Sequence, residues 1–252
     1  MPEIKIQDWP PYSPNDQARR DNAVIACRLM MNAALTSPVT GGIPQVEGHI
    51  VYGMEEQEEL ARKMEELAYE NENWQHLFLW EAQMARESDA ILFIGNYRAH
   101  RTPWDVGCGA CGGEANCSYV YQQRKHPYGL IDLTDRRTNK IVNGPLCALC
   151  VNNMGYAVGG ALIMATMLFV DARPFMSMGI AGQKLGYCPN CYIVVGIPVA
   201  VRQKHEFRDI ATDYHLVNMQ AGVDSLRKHI SQSGLRPAGG IDYRGFRAGR
   251  VR

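Results

Sequence analysis

The stretch MGYAVGGALIMATMLFV, residues 154–170, decides what kind of fold this chain can have. No charged residue occurs anywhere from Ile141 to Val170. A membrane-crossing helix needs about 20 consecutive apolar residues. The strictly apolar run here has 17, and Asn143, Asn152 and Asn153 precede it. Gly155, Gly159, Gly160 and Ala161 suit close packing against another helix. The run therefore reads as a helix buried in a core or a dimer interface, with no membrane span.

The flanking sequence alternates helices and strands. Upstream, residues 1–14 are rich in proline and aromatics and read as an extended arm. Asn15 to Leu35 places Ala23, Cys27, Met30, Met31 and Ala34 near the helical period, and Ser37-Pro38 ends it. His49 to Tyr52 reads as a short strand. Glu55 to Tyr69 is an amphipathic helix with Leu60, Met64 and Leu67 as its apolar stripe. Trp74 to Glu87 is a second helix, and Ala90 to Ile94 a buried strand ending at Gly95. Residues 96–118 are loop-like, and 129–142 form a hairpin. Downstream, 173–185 is helical, Tyr192 to Pro198 is a buried strand, and 206–229 is helical in part. The last residues, 231–252, form a basic Gly/Arg tail, a candidate docking arm. This order indicates an α+β or α/β fold in one domain over 15–230.

The chain has 252 residues, 26 basic and 26 acidic. That balance gives no electrostatic footprint for nucleic acid. The opening MPEIKIQDWPPYSPND lacks a basic segment followed by an apolar one, so a cytoplasmic location is expected. In a reducing interior, eight cysteines favour metal ligation or catalysis over disulfides.

The cysteines supply the strongest chemical signal. Cys108-Gly-Ala-Cys111-Gly-Gly-Glu-Ala-Asn-Cys117 brings three thiols into one glycine-laced turn. Two thiolates at this spacing can reach one metal centre, and glycines let backbone N–H groups approach the sulfurs. Gly144-Pro145-Leu146-Cys147 supplies a fourth thiol at the start of the apolar helix, where the helix dipole favours a negatively charged group. Three clustered cysteines and a remote fourth suit a [4Fe–4S] cluster better than zinc, which usually takes paired knuckles. Cys150, Cys188, Cys191 and Cys27 are left over. They could form a second metal site, cluster or zinc; Cys188-Pro-Asn-Cys191 could act as a redox dithiol; or all four could be idle. No histidine pair, nucleophile elbow or Walker loop is present.

Several of these runs occur together in one family. Ser88-Asp-Ala-Ile-Leu-Phe-Ile-Gly95, CGAC at 108–111, Gly144-Pro145-x-Cys147, Gly159-Gly160-Ala161 and Gly196-Ile-Pro198 resemble the ferredoxin-domain-containing proteins of anaerobic bacteria and archaea. The resemblance spans roughly residues 20–210. It implies a cluster on Cys108, Cys111, Cys117 and Cys147, though the spacing to Cys117 is one residue longer than in the family. Cys150, Cys188 and Cys191 are additional to the family pattern. A second, weaker resemblance is to the nitroreductase fold. It rests on Ala34-Leu-Thr-Ser-Pro38, the small-residue helix and the Gly196-Ile-Pro198 strand. It implies a homodimer with FMN at the interface and a nitroreductase-like mixed α/β sandwich carrying a cysteine-rich insertion. Arg19-Arg20 loosely echo that fold's arginine-rich phosphate-binding opening, and Arg202 and Lys204 are the candidate phosphate ligands here.

Two classes of function follow. One is a flavin- or iron–sulfur-dependent oxidoreductase acting on a small molecule. The other is an electron carrier or subunit of a larger complex, working with a redox partner protein. A zinc-stapled scaffold subunit is the alternative to both.

Overall fold

The computed structural model describes residues 16–40, 45–70, 74–97, 110 and 147–201. The chain divides into units 1–209 and 210–252, and every described residue lies in the first. The extended arm, the 129–142 hairpin, the 206–229 helix and the basic tail lie outside the described residues.

The fold is α+β. Its elements run α1 (Gln17–Leu35), β1 (Val46–Val51), α2 (Met54–Glu70), α3 (Gln75–Glu87), β2 (Ala90–Tyr97), α4 (Ala148–Met167), β3 (Asp171–Ala172), α5 (Met176–Lys184) and β4 (Cys191–Ala200). The strands form one antiparallel sheet in the order β1-β2-β4-β3. Alternation along β2 separates two cores. Ala90, Leu92 and Ile94 join α1 and α4 on one face, through Ala23, Cys27, Met30, Met154, Ala157 and Ala161. Phe93 points the other way, toward Gly182 of α5 and Tyr187. Helices α2, α3 and α5 pack against one another on that side.

Local chemistry explains the boundaries. Asp16 caps α1 by accepting the Arg19 N–H at 3.2 Å. Leu60 and Met64 of the expected α2 stripe are fully covered, but Leu67 is only half-buried and the stripe continues through Ala61 and Ala68 instead. Helix α5 lies flat on β4 because residue 179 is glycine. A Cβ there would stand 1.9 Å from the Val194 carbonyl oxygen.

Four sequence expectations change. Strand β1 spans Val46–Val51, starting three residues before His49 and ending before Tyr52. Strand β2 continues past Gly95 to Tyr97. Strand β4 runs through Pro198 to Ala200. Proline is tolerated because Gly196, two residues earlier, bonds Phe175 on the β3 side. The missing N–H of Pro198 therefore faces that same side, and β3 pairs only Val199 and Ala200. The helix expected over 173–185 begins only at Met176, after β3 and the Phe175–Gly196 bridge.

Helix α4 is the one helix among the described residues long and apolar enough to cross a membrane. Its Cys150, Asn153, Met154, Ala157, Ala161 and Ala165 are nevertheless buried within this unit. Tyr156, Ile163 and Met167 are exposed on its other side.

On the opposite face of the sheet, Glu81 of α3 is only 6% exposed and is hydrogen-bonded to the Ser177 hydroxyl of α5. Burial pushes its carboxyl up to about 7, against the opposing pulls of Ser177 and Arg173. The folded chain thus holds this proton more tightly than the unfolded chain does. Stability should be full below the ordinary carboxyl range and fall as pH rises from about 4.5 to about 7. Glu81→Gln should flatten that slope and stabilise the protein near pH 8 by on the order of 2 kcal/mol. Urea midpoints of both proteins across this pH range test it; parallel curves would refute it.

Candidate functional site

Helix α4 begins at Cys147, which takes an extended conformation (φ −72°, ψ 121°) as N-cap and accepts the Val151 N–H at 3.0 Å. The Cys147 thiol makes no capping bond and is half-buried. The next residue reaches across the chain: the Ala148 N–H donates to the Ala110 carbonyl at 3.1 Å. Ala110 stands between Cys108 and Cys111 in sequence. A free helix-terminal amide is thereby used to hold Ala110 next to the start of α4. The neighbouring amides and the helix dipole favour a negatively charged group at this end.

The helix entrance is itself anchored. Asn96 of β2 donates to the Cys150 carbonyl at 3.2 Å. Asn153 accepts the Thr40 N–H at 3.2 Å and its hydroxyl at 2.9 Å. Both asparagines are nearly sealed from solvent. Cys147 therefore projects from a fixed point of the scaffold, as a metal ligand requires. Cys108, Cys111 and Cys117 lie outside the described residues.

The leftover cysteines do not gather at one point. Cys188 and Cys191 meet on the α5 face of the sheet, both buried. A turn closed by the Cys191 N–H on the Cys188 carbonyl at 3.1 Å holds them. They occupy space above Gly95, where a Cβ would stand 2.5 Å from the Cys191 sulfur and 3.2 Å from the Cys188 Cβ. The Cys191 thiol lies 3.3 Å from a Glu47 carboxylate oxygen, while the Cys188 thiol faces the Glu47 main-chain carbonyl at 3.7 Å. The hydrogen bond with Cys188 pushes the Cys191 thiol up, with burial and Glu47 adding to it. Cys150 belongs to α4, across the sheet. Cys27 sits in the α1/α4 core, its thiol pushed up to about 12 by burial. The grouping of Cys27 and Cys150 with Cys188 and Cys191 at one second site is thus corrected by the sheet that divides them. Among the described residues no three His, Cys, Asp or Glu side chains form a metal-holding group.

The echo of a phosphate-binding opening is also corrected. Arg19 is buried in an ion pair with Asp89, with Asp16 at 3.5 Å, and Arg20 donates to Gln57 at 2.7 Å. These arginines tie α1 to α2 and to the start of β2. Arg202 and Lys204 lie outside the described residues. The parts that Glu47 and Gly95 play beside the cysteine pair escaped the sequence reading. The only local signal was a glycine inside an apolar strand, which marks a close approach.

Residues 143–209 match the family model described as "Uncharacterized protein containing a ferredoxin domain (DUF2148)". The chain belongs to this ferredoxin-domain-containing family. An uncharacterized protein of Archaeoglobus fulgidus is 34% identical over 193 residues, covering 77% of this chain and 94% of the relative. Among solved structures, nitroreductase A from Vibrio parahaemolyticus is similar with a TM-score of 0.40 at 11% identity, over 82% of this chain and 75% of that one. The NADPH:FMN oxidoreductase of Vibrio harveyi in complex with NAD+ has a TM-score of 0.40 at 9% identity, over 85% and 83%. The hypothetical oxidoreductase YcnD of Bacillus subtilis has 0.39 at 13%, over 82% and 75%. At these scores the likeness speaks to neither cofactor nor reaction.

Proposed function

We propose that this chain is a cytoplasmic redox protein in which Cys108, Cys111, Cys117 and Cys147 hold a [4Fe–4S] cluster. It works as an oxidoreductase or as an electron-transfer subunit. The bond from Ala148 to Ala110 carries this reading, because it ties the residue after Cys147 to the middle of the CGAC run. The thiol at a helix entrance suits a negatively charged centre. Membership of the ferredoxin-domain family supports a redox role, and the matched residues 143–209 include Cys147. One-electron transfer is the chemistry such a cluster supplies. The chain's own part is to fix Cys147 through the Asn96 and Asn153 anchors. Arg202 and Lys204 follow directly on β4, and they are the residues that would meet the phosphate of a flavin if FMN is the second cofactor. The test is anaerobic purification followed by iron, sulfide, zinc and flavin analysis. Iron and sulfide in equal amounts, with visible absorption that dithionite bleaches, support the proposal. A colourless protein with stoichiometric zinc overturns it in favour of a scaffold.

The exposed side of α4 suits a second copy of the chain. Gly155, Gly159, Ile163 and Met167 recur at four-residue spacing and so share one face. Among the described residues nothing comes within 4 Å of a Cβ placed at either glycine, leaving room for another helix. Ile163 and Met167 are 65% and 66% exposed. Ile163→Glu should convert a dimer to a monomer in light scattering with the fold intact; a monomeric parent protein would refute the interface.

A further inference from the structure

The pair Cys188 and Cys191 lies apart from Cys147, on the other face of the sheet, and the proposed cluster makes no use of it. Four observations mark it as more than two idle thiols. The turn joining the residues brings their Cα atoms within about 7 Å. That is compatible with a disulfide, which spans about 4.4–6.8 Å between Cα atoms. Cys188 holds a left-handed backbone (φ 50°), a conformation that costs a non-glycine residue of order 1 kcal/mol and tends to be kept at working sites. Gly95 clears the volume that both side chains fill. Finally, a carboxylate is set against one sulfur and not the other: Glu47 meets the Cys191 thiol at 3.3 Å.

That asymmetry has chemical meaning. A carboxylate beside a thiol can receive its proton at the moment the sulfur attacks, and Glu47 is placed to do so for Cys191 and not for Cys188. The two residues are 1% and 4% exposed, so an oxidant must be small. Strand β1 lies at the edge of the sheet, and Glu47 is only half-buried, which makes the path inward short.

We propose that Cys188 and Cys191 form a thiol–disulfide couple oxidised by hydrogen peroxide, with Glu47 as the base that receives the Cys191 proton. In the first step the Cys188 sulfur attacks peroxide. An S–O bond forms, the O–O bond breaks, and the leaving hydroxide takes the thiol proton to become water. In the second step the Cys191 sulfur attacks the Cys188 sulfenic acid. The S–S bond forms, the S–O bond breaks, and the Cys191 proton passes through Glu47 to the departing hydroxide. Two thiols and one peroxide thus give one disulfide and two waters. Reduction by an external dithiol reverses the change.

Trypsin releases Leu185–Arg202, which contains these two cysteines and no others. The full-length protein, purified anaerobically, should be exposed to hydrogen peroxide, alkylated under denaturing conditions and analysed by mass spectrometry. The expected product is this peptide two hydrogens lighter and unalkylated, and fully alkylatable again after dithiothreitol. Cys27, buried with no thiol neighbour among the described residues, should stay reduced in the same sample. Glu47→Gln should slow formation about tenfold or more. Cys191→Ser should lead Cys188 on to the sulfinic acid. The proposal falls if both thiols stay alkylatable, if they pair with other cysteines, if Glu47→Gln oxidises at the parent rate, or if the pair holds stoichiometric zinc or iron. None of these readouts depends on whether the cluster is loaded.

Discussion

Cys147→Ser should yield a protein that has lost nearly all its iron while keeping helix α4. A [4Fe–4S] cluster brings about four irons per chain. Even residues that only orient metal ligands cost about tenfold or more in affinity when removed. Loss of a ligand should therefore reduce bound iron by more than about tenfold. Serine at an N-cap position stabilises a helix start, and Cys147 makes no capping bond that the change would break. A drop in iron cannot then be ascribed to an unravelled helix. The melting temperature should fall as well, because metal binding contributes to folding free energy. Cys27→Ser is the matching control: Cys27 is fully buried in the α1/α4 core, so stability should fall with iron unchanged. Iron at the parent level in Cys147→Ser would remove this residue from the centre.

Asp89→Ala should cost about 3 kcal/mol of stability, read as a lower urea midpoint. Asp89 is fully buried at the start of β2. One carboxylate oxygen pairs with Arg19, and the other accepts the Val201 N–H at 2.8 Å. Removing it leaves the Arg19 guanidinium, 4% exposed, facing Asp16 at 3.5 Å. Breaking one side of a buried ion pair typically costs 3–5 kcal/mol, mostly for the charge left behind. Asp16 moderates that cost, which places the expected value at the low end. Arg19→Met combined with Asp89→Asn removes both charges and retains an acceptor for Val201, so its cost should be less than the sum of the single changes. Simple additivity would show that the two side chains are not coupled.

What the sequence disclosed was mostly local. The buried stripe of α2 and the apolar run of β2 were readable because side chains repeat with the period of the element that buries them. Helix α4 was not readable by its period, because it is apolar all round: of the small residues expected to pack together, Ala161 faces inward and Gly160 meets Ala33 of α1, whereas Gly155 and Gly159 lie on the open side. The contacts that set the sites were not readable in this way. Arg19 meets Asp89 across 70 positions, and Cys191 meets Glu47 across 144. No periodicity joins residues so far apart. Arg19-Arg20 looked like free cations because their partners lie on other elements. Cys188 and Cys191 were recognised as a pair, but only the sheet shows which face they share and that Cys27 lies on the other. The two-residue β3 is too short to show a period at all.

The tie between Asn96, one residue before β2 ends, and Cys150, three residues after the α4 cap, has an evolutionary consequence. It pins the chain where it leaves the sheet and where it re-enters the helical layer. The stretch strung between those two points bears the CGAC run, yet the paired strands keep their alignment whatever its length. Insertions and deletions there are cheap for the scaffold, since loop-closure cost grows only slowly with length. Lineages can therefore exchange or enlarge this cysteine-bearing segment while leaving the rest of the architecture alone.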